Sequence, residues 1–146
     1  MTATIAPARA NDLPDILALL KASGLPEAGL NDHLRTTLVI RDGRGLLGCA
    51  AVELYGRAAL LRSVAVAATA RGQGLGQRLT TGALDLAREH GVRKVYLLTE
   101  TAGDFFPRFG FRPITRADVE PAVQRSVEFT AACPASALVM AAELGG

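Results

Sequence analysis

The segment "VAVAATARGQGLGQRL", Val64 to Leu79, sets Gly72, Gly74 and Gly76 on alternate positions, with Arg71 just ahead and a helical pattern just behind. Glycine gives up more conformational freedom on folding than any other residue, so three within five positions point to a backbone that must pass close to something. A helix N-terminus carries four unpaired amides and roughly half a positive charge, and a glycine loop leading into one suits a phosphate or diphosphate. The amides from Gln73 to Gln77, Leu75 included, would converge on the anion, and Arg71 would add a charge-assisted contact. Two nucleotide fingerprints fail here. A dinucleotide loop requires GxGxxG directly after the strand, whereas this chain has GxGxG after the connection "AATARG". A Walker loop requires Lys-Ser/Thr after the last glycine, where Gln77-Arg78 stands.

The elements that must hold this loop are legible on both sides of it. "AALLRSVAV" reads as a strand apolar enough to lie centrally, Leu75, Leu79, Ala83, Leu86 and Ala87 follow helical spacing up to Gly91, and "KVYLLT" reads as the next strand. Strand, glycine loop, helix and strand make a βαβ unit with two parallel neighbouring strands. Upstream, "TATIAPAR" is a short strand and "NDLPDILALLKASG" a helix capped by Asn11 or Asp12 and ended at Gly24. "GLPEAGLNDHL" is a loop with room for one helical turn, and "TTLVIRDGRGLLGCAAVEL" is two strands around an Asp-Gly turn. After Phe111, "TRADVEPAVQRSVEFTAA" suggests a helix starting near Pro121, and "ASALVMAAEL" a closing strand. That last helix would either cap a pocket or form a homodimer surface.

Arg71 to Gly76 fits Arg-x-x-Gly-x-Gly, which resembles the coenzyme A diphosphate loop of the GNAT N-acetyltransferase superfamily. "TETAGDFFPRFGF" resembles the same superfamily's motif after the loop helix, Asn-x-x-Ala-x-x-Leu/Phe-Tyr-x-x-x-Gly-Phe, keeping its spacing through Thr99, Ala102, Phe105, Gly110 and Phe111. Thr99 stands in place of Asn, and Phe106 in place of the usual Tyr. The two motifs span residues 60 to 111. The resemblance implies an α/β (α+β) GNAT fold, a mixed sheet of about six to seven strands flanked by helices, and acetyl-CoA as co-substrate with a small-molecule amine as acceptor. It also implies that the strands on either side of the loop helix splay apart, so that Val64, Ala65 and Val66 line the acetyl-pantetheine with Thr99 and Phe106 close by. A narrower resemblance, carried by "GLPEAGLNDHL", "LLRSVAV", "YLLTETAGDFFPRFGF" and "FTAACPASALVM" between residues 24 and 140, is to the arsenic-resistance-associated branch. Relatives of that branch acetylate glutamate-like phosphinic or arsinic antibiotics.

Amine acetylation requires a neutral amine, a donor for the developing oxyanion and a departing thiolate. No carboxylate lies in "AALLRSVAV", so the candidate bases are Glu53, at the end of an earlier strand, and Glu100, after "LLT". Arg62, with Ser63 beside it, could pair with an anionic group on the acceptor, or simply snorkel at a strand edge. Asn31 and His33 lie in the loop that would roof the pocket. Phe106 cannot serve as an acid, which leaves Tyr55, Tyr96 or water. An acetyltransferase acting on peptides and a non-catalytic acyl-CoA sensor are the competing readings.

Composition narrows the field from the other direction. The 146 residues are 49% hydrophobic, enough for one globular domain over 1–146. A net charge of +2 with scattered arginines and 5% aromatics argues against a nucleic-acid groove or a membrane-binding patch. Cys49 and Cys133 stand far apart without CxxC spacing or paired histidines, so neither a metal site nor a disulfide is expected, and Cys133 reads as a buried structural thiol. The N-terminal segment lacks the pattern of a signal peptide, nothing reaches transmembrane length, and the expected compartment is the cytoplasm.

Overall fold

Asp42 accepts the Arg44 amide at 2.8 Å and closes the tight turn predicted by the Asp-Gly pair. It joins two of the seven strands found among residues 3–145, which the structure, a computed structural model, describes. The strands are β1 (Thr4–Pro7), β2 (Thr37–Asp42), β3 (Gly45–Tyr55), β4 (Ala58–Val66), β5 (Lys94–Thr99), β6 (Arg112–Ile114) and β7 (Leu138–Glu143). They form one mixed sheet in the order β1-β2-β3-β4-β5-β7-β6. Thr2, where the expected first strand begins, lies outside the described residues.

Side-chain alternation divides the sheet between two helices. Leu38, Ile40, Val52 and Leu61 face α2 (Leu75–Glu89), whose Leu75, Leu79, Ala83 and Ala87 are buried against them. Val39, Cys49 and Ala51 point the other way, toward Ile16 and Leu20 of α1 (Leu13–Ala22). A smaller cluster gathers Leu60, Tyr96, Val123 and Val139 on that second side. Asp12 precedes α1 but does not cap it with its side chain as expected; its carboxylate accepts the Arg9 amide three residues back and a hydrogen bond from the Arg41 guanidinium. Among the described residues no helix is long and apolar enough to cross a membrane.

The structure differs from the sequence reading in two places after Phe111. The single helix from near Pro121 is instead one turn, α3 (Pro121–Gln124), followed by a separate π-turn, Glu128–Ala132. Ser126 stands between them. Its hydroxyl accepts the Glu128 amide at 3.2 Å and its carbonyl accepts the amides of both Phe129 and Thr130, so Ser126 starts a new turn instead of continuing α3. The second difference is β6, which has no counterpart in the sequence reading. It is three residues long with Pro113 at its centre, and it is tolerated as the outermost strand of the sheet.

β4 and β5 are parallel neighbours, as the βαβ pattern predicts, but their ladder ends early. It runs from Ala58↔Lys94 to Leu60↔Tyr96, while β4 continues to Val66 and β5 to Thr99. On its other edge β4 pairs Ala65 with Cys49 and Arg62 with Ala51, so Ser63 and Val64 together oppose Ala50. This bulge carries a left-handed residue, Ser63 at φ +60°, the one non-glycine with positive φ among the described residues. The bulge sharpens the local twist and turns the outer half of β4 away from β5. Ser63→Val, which places a β-branched side chain on that backbone, is expected to lower stability in urea unfolding by about 1–3 kcal/mol. Ser63→Gly is expected to lose less. Equal stability of the Val variant and wild type would mean the bulge relaxes freely.

Candidate active site

Gly74 caps α2 with φ +77° and Gly72 precedes it at φ +81°, so both positions need glycine for backbone conformation. A Cβ at either would meet nothing within 4 Å, so the loop faces open space. The first intrahelical bond is Arg78 N–H to Gly74 O at 3.1 Å, leaving the amides of Leu75, Gly76 and Gln77 at the helix start. No acidic side chain occupies that turn. These residues bound a hollow of about 200 Å³ with Val66, Arg71 and Phe105. Gln73 is exposed and outside its lining. Arg71 donates from Nε to Val66 O at 3.2 Å and stands between this hollow and a larger one.

The larger cleft, about 480 Å³, opens where β4 and β5 diverge. Arg62 to Val66 form one wall and Leu97 to Ala102 the other, with Phe106 alongside. The Thr99 hydroxyl lines it while accepting the Ala102 amide at 2.9 Å, and Glu100 is exposed at the rim. Phe106 is buried and packs edge-on against Phe105 and Phe111, with ring centroids 5.1 and 5.8 Å away. The roof is Ser23 to Pro26. It includes the buried Ser23 hydroxyl, which has no hydrogen-bond partner among the described residues. Asn31 and His33 are not brought into the cleft. Asn31 is exposed, and His33 places Nε2 3.8 Å from Glu53 instead.

Behind the cleft floor lies a cluster of buried charges. The Arg62 side chain is 0% exposed. It donates from Nη1 to Glu53 Oε2 at 2.9 Å, from Nη2 to Pro26 O at 3.2 Å and from Nε to Ser63 Oγ at 3.0 Å, with Glu128 Oε2 3.4 Å from the same Nε. Glu53 is fully buried outside the cleft lining, and Tyr55 donates to its other oxygen. Burial alone would raise its pKa, but Ser126, Tyr55 and Arg62 more than offset that and hold it below the usual value. Glu128 is 3% exposed, lines the cleft, and is pushed up to about 7 by burial, with Arg62 lowering it and the charge of Glu53 raising it. Sequence reading passed over Glu128 because a glutamate in a helical stretch looks like surface. Only the return of this segment onto β4 reveals it. The two tyrosines considered as acids lie outside the lining: Tyr55 is bound to Glu53 and Tyr96 donates to Glu120 at 2.9 Å, and both are pushed up to about 12, chiefly by burial. Among the described residues no group of three or more His, Cys, Asp or Glu is placed to hold a metal ion.

Comparison with known proteins gives this geometry a context. The family described as the acetyltransferase (GNAT) domain matches residues 33–113. An amino-acid acetyltransferase of Neisseria meningitidis is 28% identical over 120 residues, covering 75% of this chain, and the chain spans 27% of that protein's length. An uncharacterized N-acetyltransferase of Chlorobaculum tepidum is 34% identical over 86 residues, covering 58% of this chain and 55% of that protein. Among solved structures, N-acetylglutamate synthase of Neisseria gonorrhoeae, complexed with coenzyme A and N-acetyl-glutamate, superposes with a TM-score of 0.84 at 21% identity. That superposition covers 100% of this chain and 36% of the other.

Cys133, expected to be buried, is half-buried in the cleft wall, its thiol 3.7 Å from Glu128 Oε1. Burial first, and the charge and hydrogen bond of Glu128 next, push this thiol up to about 12. Alkylation by iodoacetamide at pH 8 should therefore be at least tenfold slower than for a free cysteine, because little thiolate is present. Glu128→Gln removes the neighbouring charge and should speed the reaction several-fold. An unchanged rate in that variant would separate the two side chains.

Proposed function

This chain belongs to the GNAT acetyltransferase family, its match running over residues 33–113, and from that membership we propose that it is an acetyl-CoA-dependent N-acetyltransferase acting on a small primary amine. The observation carrying the reading is one run of space shared by two hollows. Val66 and Arg71 border both, with helix-start amides at one end and the buried charges around Arg62 at the other. The diphosphate of coenzyme A would meet the amides of Leu75 to Gln77 and the Arg71 guanidinium, whose positive charges suit it. The acetyl-pantetheine arm would then follow Val64 to Val66, where β4 has left the β5 ladder and its backbone is free to bind the thioester carbonyl. Thr99 and Phe106 would flank it.

The acceptor would enter beneath Ser23 to Pro26, beside Glu100 at the rim and Glu128 in the wall. Glu100 and Glu128 on that lining would attract a protonated amine, and Arg62 and Arg71 on the same lining balance their charge. Arg62 is already engaged by Glu53, Pro26 and Ser63, so its role in this reading is to shape the pocket and hold Glu128, with Glu53 and His33 behind it. Amino acids are the leading acceptor class, in keeping with the amino-acid acetyltransferase relative and the N-acetyl-glutamate bound to the structural neighbour. Glutamate-like phosphinic and arsinic compounds carry the same ammonium and a comparable anion, and they belong to the same class.

The test is release of the coenzyme A thiol from acetyl-CoA against amino acids, phosphinic and arsinic analogues, polyamines and peptides. Turnover of a small amine above that of any peptide is expected, and exclusive use of peptides would overturn the acceptor class. Gly74→Asp carries backbone strain at φ +77° despite the open space around its Cβ, so it is paired with Gly74→Asn, which bears the same strain without the charge, and should bind acetyl-CoA at least tenfold more weakly than that control by calorimetry because a carboxylate then occupies the anion's approach. Equal affinity of the two variants would remove the diphosphate from this loop.

A further inference from the structure

We propose that Glu128 is the general base of the transfer, accepting a proton from the acceptor's ammonium group. The inference rests on the reading of the cleft as an acetyl-transfer site and names the group that performs its first step. Three carboxylates stand near enough to be considered. Glu53 is sealed behind Arg62, its oxygens taken by Tyr55 and Arg62, and it does not line the cleft. Glu100 lines it but is exposed at the rim, away from the buried wall. Glu128 alone among them combines burial with a place in the wall, on the π-turn Glu128–Ala132 that closes the space opposite β4.

The groups facing Glu128 come from several elements and act in opposite senses. Arg62 of β4 stands 3.4 Å away and favours its charged form. Glu53 of β3, ion-paired to that same Arg62, opposes it, with His33 on the far side of Glu53. Cys133, on its own turn, offers only a long contact at 3.7 Å, and Glu100 acts on Cys133 from the end of β5. Glu53 holds the better share of Arg62, so Glu128 is the carboxylate left basic, near pH 7, where a proton acceptor is most useful.

The step balances without an outside reagent. One ammonium proton passes to the Glu128 carboxylate, the freed nitrogen lone pair forms the N–C bond at the thioester carbonyl, and the C–S bond breaks with its electron pair going to sulfur. The second nitrogen proton is lost on collapse and ends on the thiolate or in water. Glu128 returns its proton to solvent.

The experiment is kcat/KM against pH for the best small amine found. Wild type should hold a plateau from about pH 7 up to the amine's own pKa, and fall tenfold per unit below pH 7. Glu128→Gln should be about 10²–10⁴-fold slower at pH 7 and should lack the plateau, rising tenfold per unit up to the amine's pKa because only free amine then reacts. Its acetyl-CoA affinity should stay within twofold of wild type. A structural role predicts instead a loss by the same factor at every pH, and parallel profiles overturn the proposal, as does activity within fivefold of wild type. Should Glu128→Gln not fold, Glu128→Asp is expected to be slower yet keep the acid limb, and its disappearance there overturns the proposal too. A wild type that binds acetyl-CoA but releases no thiol with any amine sinks the acetyltransferase reading and the base with it, whereas an active wild type beside parallel profiles sinks the base alone.

Discussion

A guanidinium with no exposure to solvent governs the end of the sheet where β4 and β5 part. Moving an ion from water into a protein interior costs several kcal/mol even after relaxation, so Arg62 is tolerable only with its donors occupied. Glu53, Pro26 O and Ser63 Oγ occupy them, and Glu128 adds a second carboxylate. Much of the nearby backbone conforms to this requirement. A Cβ on Gly29 would come within 2.8 Å of Val127 and 3.5 Å of the Arg62 guanidinium, so the chain just after the roof is packed close against the same point. Two carboxylates cannot share one cation equally. Glu53 has the better-placed partners and drops below its usual pKa, while Glu128 takes the weaker contact and rises. Environments that drive two acids apart in this way assign them different roles.

The left-handed Ser63 links that charge cluster to the opening beside it. Its hydroxyl accepts from Arg62 and its carbonyl accepts from the Cys49 thiol at 3.1 Å, so the bulge is held from both sides. The divergence of β4 from β5 then leaves strand backbone without a neighbouring strand, a state that elsewhere in a sheet would be costly. Here it faces a cleft leading to the start of α2, whose leading amides are likewise without intrahelical partners. Unused hydrogen-bonding groups are thus concentrated along one path.

Sequence made the local parts legible and the long-range ones opaque. The strand, glycine loop and helix from Ala58 to Glu89 could be read because apolar spacing and left-handed glycines are imposed within a few residues. The three residues of β6 carry too short a pattern, and Pro113 argues against a strand unless the edge position is already known. The helical spacing after Pro121 was real but did not extend to a helix, because Ser126 starts a new turn. Glu53, Arg62 and Ser63 were legible as polar residues of interest, yet their mutual pairing was not, and Asn31 and His33 were placed in a roof that Ser23 to Pro26 form. Glu128 illustrates the limit best: it is 66 residues from Arg62 in the chain, and nothing local marks it as buried.

Phe106 raises the question of how a thiolate would leave this cleft without a phenol. Among the described residues no tyrosine lines it, and the ring of Phe106 is fixed by edge-on contacts with Phe105 and Phe111. The Cys133 thiol is in the wall, but at about 12 it is a poor proton donor. A departing alkyl thiolate, with a pKa of about 8.5 if it resembles cysteine, is a far better leaving group than an alkoxide or amide and needs little assistance near neutrality. The harder task in the reaction is at the other end, where an ammonium must lose a proton it holds firmly at pH 7. In the proposed transfer Glu128 and its buried partners would serve the amine while Phe106 would flank the sulfur, which would put the electrostatic resources of the cleft where the barrier demands them.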